Sequence, residues 1–444
     1  MGRNRRLAAL ALLAIVASAC GDSESNLATP AGTSASGIAV DQVATGEAPD
    51  DTTVLGPMAS AGNLIFALAA TEGSVWASGI VRSLDPGEPW EPVALPDAPE
   101  PSPTGNFTWD LQAIDRGVFV SAAEATPAGT ILWAWSSSNG TDWTGGRIGA
   151  FRGASPYARF DNVGDSVVRV IQRNEAVVVL HTLDAGKSWH EAPIAGLAVL
   201  EGESAGLAGG PWTTPTGQVR MLVSYSGETS RGFENVSAEA PSPDGPWTVV
   251  DPMCPQNEQV PRGHCYPSVE AGTLRARGIE VSLDAGRTWA DATFRQPLDR
   301  DPHRVVSGFS SLTSLPTGGW IGTVDGYVPA GGGPLAWVLH STDGRTWSAL
   351  LGPGQNGCTR SPVDTDQPWA QAHPPLLAGD AAVAAFTCPG AGSGLYRIDT
   401  DTTPVHQVEP NQRLGEPFQH GGTVVAPVRG VDDEAIRSFV VVQP

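Results

Sequence analysis

Short apolar runs of five or six residues, parted by turns rich in Gly, Pro and Asp, recur along most of the chain. Trp109–Ile114, Val118–Ala123 and Ile131–Ser136 lead to a turn that ends at Trp143. Ser310–Leu315, Trp320–Val324 and Leu335–His340 lead in the same way to Trp347. Thr423–Val428 and Ile436–Val442 make a further pair, and Gly37–Val43 alternates enough to form a strand. Runs of this length bounded by turn residues predict β-strands, with three before each such turn and a fourth after it. The expected class is all-β.

One apolar run is of another kind. Leu7–Val16 follows Arg3, Arg5 and Arg6 and ends in Ala17-Ser18-Ala19-Cys20. A charged start, a short apolar stretch and small residues at the cut predict a signal peptide over residues 1–19. Small residues followed at once by Cys resemble the lipobox of bacterial lipoproteins, although Ala17 stands where Leu is usual. The resemblance implies a lipid on Cys20 and attachment to the outer face of the cell membrane. An ordinary secretory cut is the alternative. No later stretch is apolar for long enough to span a bilayer. Residues 21–53 hold no aromatic side chain and are dominated by Ser, Thr, Ala, Gly, Pro and Asp. They cannot bury enough apolar surface to offset their ordering entropy, so 20–53 reads as a flexible tether and 54–444 as the folded domain. The strand at 37–43 is a candidate to close that domain.

The turns between the third and fourth strands repeat. Ser83-Leu-Asp85-Pro-Gly87-Glu-Pro-Trp90, Thr182-Leu-Asp184-Ala-Gly186-Lys-Ser-Trp189 and Ser282-Leu-Asp284-Ala-Gly286-Arg-Thr-Trp289 share one template. Shorter versions run to Trp143 through Asn139, to Trp247 through Asp244 and to Trp347 through Asp343. A decayed copy without Gly or Trp surrounds Asp399. The carboxylate can accept backbone N–H groups just ahead of it, the Gly supplies positive φ, and the Trp starts the next strand and packs its ring. These are corners of hairpins and not reaction centres.

The repeat resembles the aspartate boxes, or BNR repeats, of the sialidase-like β-propellers. That resemblance implies a single propeller of four-stranded blades over 54–444 and is poor for function, because the box recurs across unrelated activities. The box tryptophans lie about 51 residues apart on average, which suits one blade each. Seven blades are expected. The length from residue 50 onward corresponds to roughly 7.7 repeats, so an eighth blade closed by the N-terminal strand is the alternative.

Charge narrows the partners. Asp plus Glu is 47 against 26 Lys plus Arg, a net charge of −21. That balance argues against a nucleic-acid surface and against electrostatic docking on anionic lipid. Membrane attachment then rests on Cys20 alone. Cys254, Cys265, Cys358 and Cys388 form an even set in an exported chain, which favours disulfides, with 254–265 and 358–388 preferred among three pairings. Cys254 and Cys265 lack zinc spacing despite His264 nearby, so no metal and no cofactor is expected.

Catalytic motifs are sparse. Sialidases, which this chain resembles, use an arginine triad, an aspartate acid/base and a Tyr–Glu pair. Here Arg82 abuts the first box, and Phe151-Arg152-Gly153 follows the second and lacks the Pro of their first arginine motif. Tyr is scarce, and Gly202-Glu203-Ser204-Ala205-Gly206 is a chance match to the hydrolase elbow in a glycine-rich chain. Two connections are richer than turns require. One carries Asp299, Arg300, Asp301, His303 and Arg304, and the other carries Asp364, Asp366, Trp369 and His373. Trp with carboxylates suits a sugar, which makes these the candidate binding loops. The expected function is a monomeric, surface-tethered binding module with a glycan or protein ligand. A glycoside hydrolase and an assembly factor for a membrane complex are the alternatives.

Overall fold

The computed structural model describes residues 32–33, 39–71, 74, 76–99, 107–152, 154, 159–173, 176–198, 204–213, 217–226, 234–250, 269–295, 298, 305–327, 334–353, 358, 370–388, 392–398, 402–407, 412–430 and 435–444. Cys20, the expected signal segment and most of the expected tether lie outside them, as do Cys254 and Cys265.

Among the described residues every regular element is a strand. Antiparallel pairing groups these strands into eight successive four-stranded meanders. Unit 1 is Thr52–Ala61, Leu64–Thr71, Ala77–Ser83 and Glu91–Pro92. Unit 2 is Phe107–Ile114, Gly117–Thr126, Gly129–Ser137 and Thr144–Phe151. Unit 3 is Asp161–Val163, Ser166–Arg173, Ala176–Thr182 and His190–Ala198. Unit 4 is Ser204–Thr213, Val219–Ser226, Glu234–Ala240 and Trp247–Val250. Unit 5 is Val269–Ala271, Leu274–Arg277, Glu280–Ser282 and Ala290–Asp291. Unit 6 is Val305–Ser314, Trp320–Tyr327, Pro334–Ser341 and Thr346–Leu351. In unit 7 two short pieces, Gln371–Ala372 and Leu376–Ala378, share the first position and pair with Ala381–Thr387, ahead of Gly394–Ile398 and Thr402–Gln407. Unit 8 likewise begins in two pieces, Gln412–Leu414 and Phe418–His420, followed by Thr423–Gly430 and Ile436–Val442.

The fourth strand of unit 8 comes from the other end of the chain. Ala39–Ala44 pairs antiparallel with Ile436–Val442, Val40 opposite Val442. Among the described residues the pairing thus gives eight units, the alternative, in place of seven. The chain left over after seven repeats supplies three strands, and the N-terminal segment completes the sheet. A bridge from Leu55 to Ala435 and stacking of Trp90 on Phe439 at 6.2 Å join unit 8 to unit 1.

The core lies in the seams between units. Separate apolar clusters fill the seams 1–2, 2–3, 3–4, 5–6, 6–7, 7–8 and 8–1. A sheet clamped on both faces needs apolar residues on both, which explains near-continuous runs such as Ala176–Thr182, AVVVLHT. First strands of neighbouring units touch, as Thr52–Ala61 touches both Phe107–Ile114 and Phe418–His420, so these strands are innermost. Meanders packed seam to seam and closed by both termini form a β-propeller.

All units point the same way. The fourth strands of units 3 and 4 pair in parallel, Ile194 opposite Trp247. Thr293–Phe294, just past unit 5, pairs in parallel with Thr346–Trp347 of unit 6. The first-to-second and third-to-fourth turns thus gather at one end of the ring, the turn end. The other end, at which the fourth strands stop and the next first strands begin, is the loop end.

Candidate functional site

The corners and the inner strands differ in what surrounds their carboxylates. At the turn end, the repeated Ser/Thr, Asp and Gly close on themselves. The Ser282 hydroxyl donates to Asp284 Oδ1 at 2.7 Å and accepts the Gly286 N–H at 2.8 Å. Thr288 donates its N–H to Oδ1 at 2.8 Å and its hydroxyl to Oδ2 at 2.7 Å. Asp184 repeats this with Thr182 and Ser188. Asp343 accepts the N–H groups of Arg345 and Thr346 at 2.8 and 2.6 Å. Asn139 accepts those of Thr141 and Asp142, both at 2.9 Å.

Donors favour the charged form. The Thr288 hydroxyl and N–H hold Asp284 far below the usual carboxylate range. The Thr346 and Arg345 N–H groups bring Asp343 down to about 2. The Ser242 hydroxyl lowers Asp244. Burial pushes Asp184 up, but the combined donors outweigh it and its net shift is down. The glycine at the corner fits closely against the preceding unit. Gly344 has φ +70°, and a Cβ there would stand 2.5 Å from Leu283 of unit 5. The tryptophans fill the seams, with Trp247 and Trp347 fully buried.

On the inner strands, away from the corners, three carboxylates behave in the opposite way. Asp110 sits in the first half of the innermost strand of unit 2. Its neighbours Phe107, Trp109 and Leu111 pack toward unit 1, while Ile114 packs toward unit 3. Alternation therefore turns Asp110 toward unit 3. Asp161 begins the innermost strand of unit 3. Burial raises Asp161 to about 6, and the charge of Asp110 adds to the rise against the Asn162 N–H and Arg159. Burial also raises Asp110, opposed by Arg159, the Leu111 N–H and Arg169. Arg169, on the second strand of unit 3, is 2% exposed. Its Cζ lies 5.0 Å from the centre of the Phe160 ring. Burial lowers it to about 10, and Asp110 counters part of that fall. In unit 6, Asp325 lies near the loop end of its strand and is raised by burial against the Ser310 hydroxyl. Two acids whose charges feel one another, with Arg159 just ahead of the innermost strand of unit 3 and Arg169 on its second strand, can hold a proton on Asp161 near neutral pH and accept hydrogen bonds from hydroxyl groups.

Most residues expected to bind a ligand fall outside the described residues: Asp299, Arg300, Asp301, His303, Arg304, Asp364, Asp366 and Trp369. Asp399 does too. His373 does not belong to an open loop. It is 9% exposed, and its N–H bonds the Ala385 carbonyl at 3.0 Å, which seats it in the sheet of unit 7. Burial and then Arg429 lower it to about 4 against a Leu414 backbone hydrogen bond. A neutral buried imidazole packs the ring, so its assignment to a binding loop is withdrawn. Cys358 and Cys388 are bonded and tie the connection between units 6 and 7 to the second strand of unit 7. Among the described residues, no group of three or more His, Cys, Asp or Glu is placed to hold a metal.

Sequence reasoning missed Asp110, Asp161 and Arg169. The signal was present in Ser166–Arg173, SVVRVIQR, where a charged residue interrupts a run of β-branched ones.

No family model and no curated protein matches the sequence. Solved structures do. A prolyl endopeptidase structure is 13% identical with a TM-score of 0.42, over 86% of this chain and 54% of that one. The chain thus spans about half the length of that enzyme. An ulvan lyase of polysaccharide lyase family 25 is 11% identical with a TM-score of 0.38, over 82% of this chain and 98% of that one. The α-L-arabinofuranosidase of Fusarium graminearum is 12% identical with a TM-score of 0.37, over 90% and 97%. At such scores the propeller architecture rests on the strand pairing itself.

Proposed function

We propose that this chain is a lipid-anchored propeller, held at Cys20, that binds a glycan at the axis of the ring, beside Asp110 and Asp161 of the innermost strands of units 2 and 3. The observation that carries the reading is the placement of two carboxylates from neighbouring innermost strands, both shifted toward the neutral form, beside Arg159 and Arg169. Acceptors and donors side by side suit the hydroxyls of a sugar. Perturbed acids in a ring whose corner acids are satisfied by local donors favour a ligand site over a structural one. Binding of the chain to a panel of neutral and acidic oligosaccharides tests this. Asp110→Asn and Asp161→Asn are expected to weaken binding at least tenfold with the fold retained. Binding untouched by both substitutions refutes the site.

A second reading, hydrolysis, is favoured by one observation. Asp161 is raised to about 6 next to a second acid, as a proton donor paired with a carboxylate requires. Release of reducing sugar from the same panel, abolished by either substitution, would select it over binding alone.

A further inference from the structure

The innermost strand of unit 6 loses register twice. Its pairing with Trp320–Tyr327 shifts between Val306 and Gly308 and again between Phe309 and Ser311. Ser310 is thus an extra residue with no partner opposite, and a bulge of this kind re-aims the side chain it carries. Ser310 is exposed although it sits mid-strand on an innermost strand, so it opens onto the axis. Unit 5 fixes the kink from behind. The Phe309 N–H donates to the Gly278 carbonyl at 2.9 Å, and the Phe309 ring is fully buried.

The side chains around the bulge share one face. Ile321 packs into the seam with unit 7 and Val324 into the seam with unit 5. Thr323 and Asp325 therefore turn toward unit 7. Ser311 is the cross-strand partner of Thr323 and starts on the same face. The contacts agree. Thr323 Oγ1 stands 2.5 Å from Ser311 Oγ and 2.9 Å from Ser310 Oγ. The Thr313 hydroxyl, on the same strand, donates to the Pro375 carbonyl of unit 7 at 3.0 Å. The linked hydroxyls of Ser310, Ser311 and Thr323 hold one proton each, and their two mutual bonds use two of these. The remaining proton can go to the Thr323 carbonyl, 3.4 Å from Ser310 Oγ, to Asp325, which the Ser310 hydroxyl also reaches, or to an incoming group.

We propose that Ser310, Ser311, Thr323 and Asp325 form a second ligand site, on the wall of the axis made by unit 6, that takes a neutral sugar through two adjacent hydroxyls. In a ring of eight, unit 6 lies opposite unit 2, so this site faces Asp110 across the axis. It rests on the glycan reading for its ligand class alone, and unit 6 sets its place. Protein hydroxyls that both donate and accept match sugar hydroxyls, which do the same, and a carboxylate accepts two of them side by side. Neither strand carries Lys or Arg, so nothing on them balances an anionic sugar.

The test is an amide NMR titration of the full chain with methyl glycosides of neutral hexoses and with the matching uronic acids. Neutral glycosides are expected to shift Ser310, Ser311 and Thr323, and the uronic acids to bind more weakly by about tenfold or more. Ser310→Ala, at an exposed position, is expected to weaken binding at unit 6 by about fivefold or more. Asp325→Asn is expected to narrow the preference for the neutral sugar. Neutral glycosides that leave the three amides unmoved, or that bind folded Ser310→Ala unchanged, overturn the site. Uronic acids bound as tightly as neutral sugars overturn the role of Asp325. Should Ser310→Ala fail to fold, the shifts in the parent chain decide. A response at unit 6 with none at units 2 and 3 would sink the site at Asp110 and Asp161 and leave this one standing. The reverse would sink this one alone.

Discussion

The corners at the turn end and the inner strands use the same side chain, aspartate, to opposite effect. At the turn end Asp284 and Asp343 each collect three or more donors within their own turn and are held charged. On the inner strands Asp110, Asp161 and Asp325 are withdrawn from water with fewer local donors and drift toward the neutral form. The first arrangement gives several units similar corners built from one turn. The second places unsettled charge on strands around the axis, where an incoming ligand can supply the missing partners. The contrast teaches that the corners are finished by their own sequence while the inner strands are left to be completed.

The largest effect should come from emptying a seam at the turn end. Trp247 is fully buried among the residues that join units 3 and 4. Trp247→Ala is expected to cost about 3–5 kcal/mol of folding stability, read by urea unfolding. A loss below 1 kcal/mol would mean that the corner tryptophans do not carry the seams.

Asp161→Asn should act in the other direction. The folded value of Asp161 lies above its unfolded one, so its contribution favours folding most below about pH 4 and is lost as the pH rises through about 6. At pH 8 the penalty reaches on the order of 3 kcal/mol, and the amide removes much of it. The variant is expected to be more stable than the parent at pH 8 and no more stable at pH 4, while binding is lost. Equal stability at pH 8 would remove the distinction between corners and inner strands.

His373 sharpens the comparison at low pH. Its folded value of about 4 lies below the ordinary 6.5. Its contribution is therefore full above 6.5 and is lost as the pH falls from 6.5 toward 4, by up to about 3 kcal/mol. His181, His340 and His406 are lowered too, each chiefly by burial, and act in the same sense. His373→Phe is expected to flatten part of the acid slope of melting temperature between pH 6.5 and 4. An unchanged slope would show that this imidazole titrates freely.

Corners and inner strands were unequally legible. The corners could be read because each is local: Ser, Asp and Gly within five residues meet by their own backbone geometry, as Ser282, Asp284 and Gly286 do. Their tryptophan spacing gave the length of a unit but left the number of units open, because the last sheet borrows Ala39–Ala44 from some 390 residues away. The carboxylate pair was not legible at all. Asp110 and Asp161 are 51 positions apart, and only the registration of one unit on the next brings their charges within reach of each other. Sequence reasoning looked to long loops for chemistry, whereas the perturbed acids stand on the strands themselves.

The smallest effect isolates the corner chemistry. Asn139 stands where the other corners have Asp. Its Oδ1 accepts the Ser137 hydroxyl at 3.1 Å and the Thr141 and Asp142 N–H groups, as the carboxylates do elsewhere. Its Nδ2 also donates to Asp142 Oδ2 at 2.8 Å, a bond no carboxylate can make. Asn139→Asp would strengthen the first set and set two exposed carboxylates face to face. Exposed charges are screened, so the net change is expected to be a loss of under about 1 kcal/mol at pH 7. The loss should shrink as added salt screens the pair and vanish once the pH falls below the carboxylate range. A gain at pH 7 would show that local donors outweigh a neighbouring charge at the turn end, and that the corners owe their depressed carboxylates to hydrogen bonds alone.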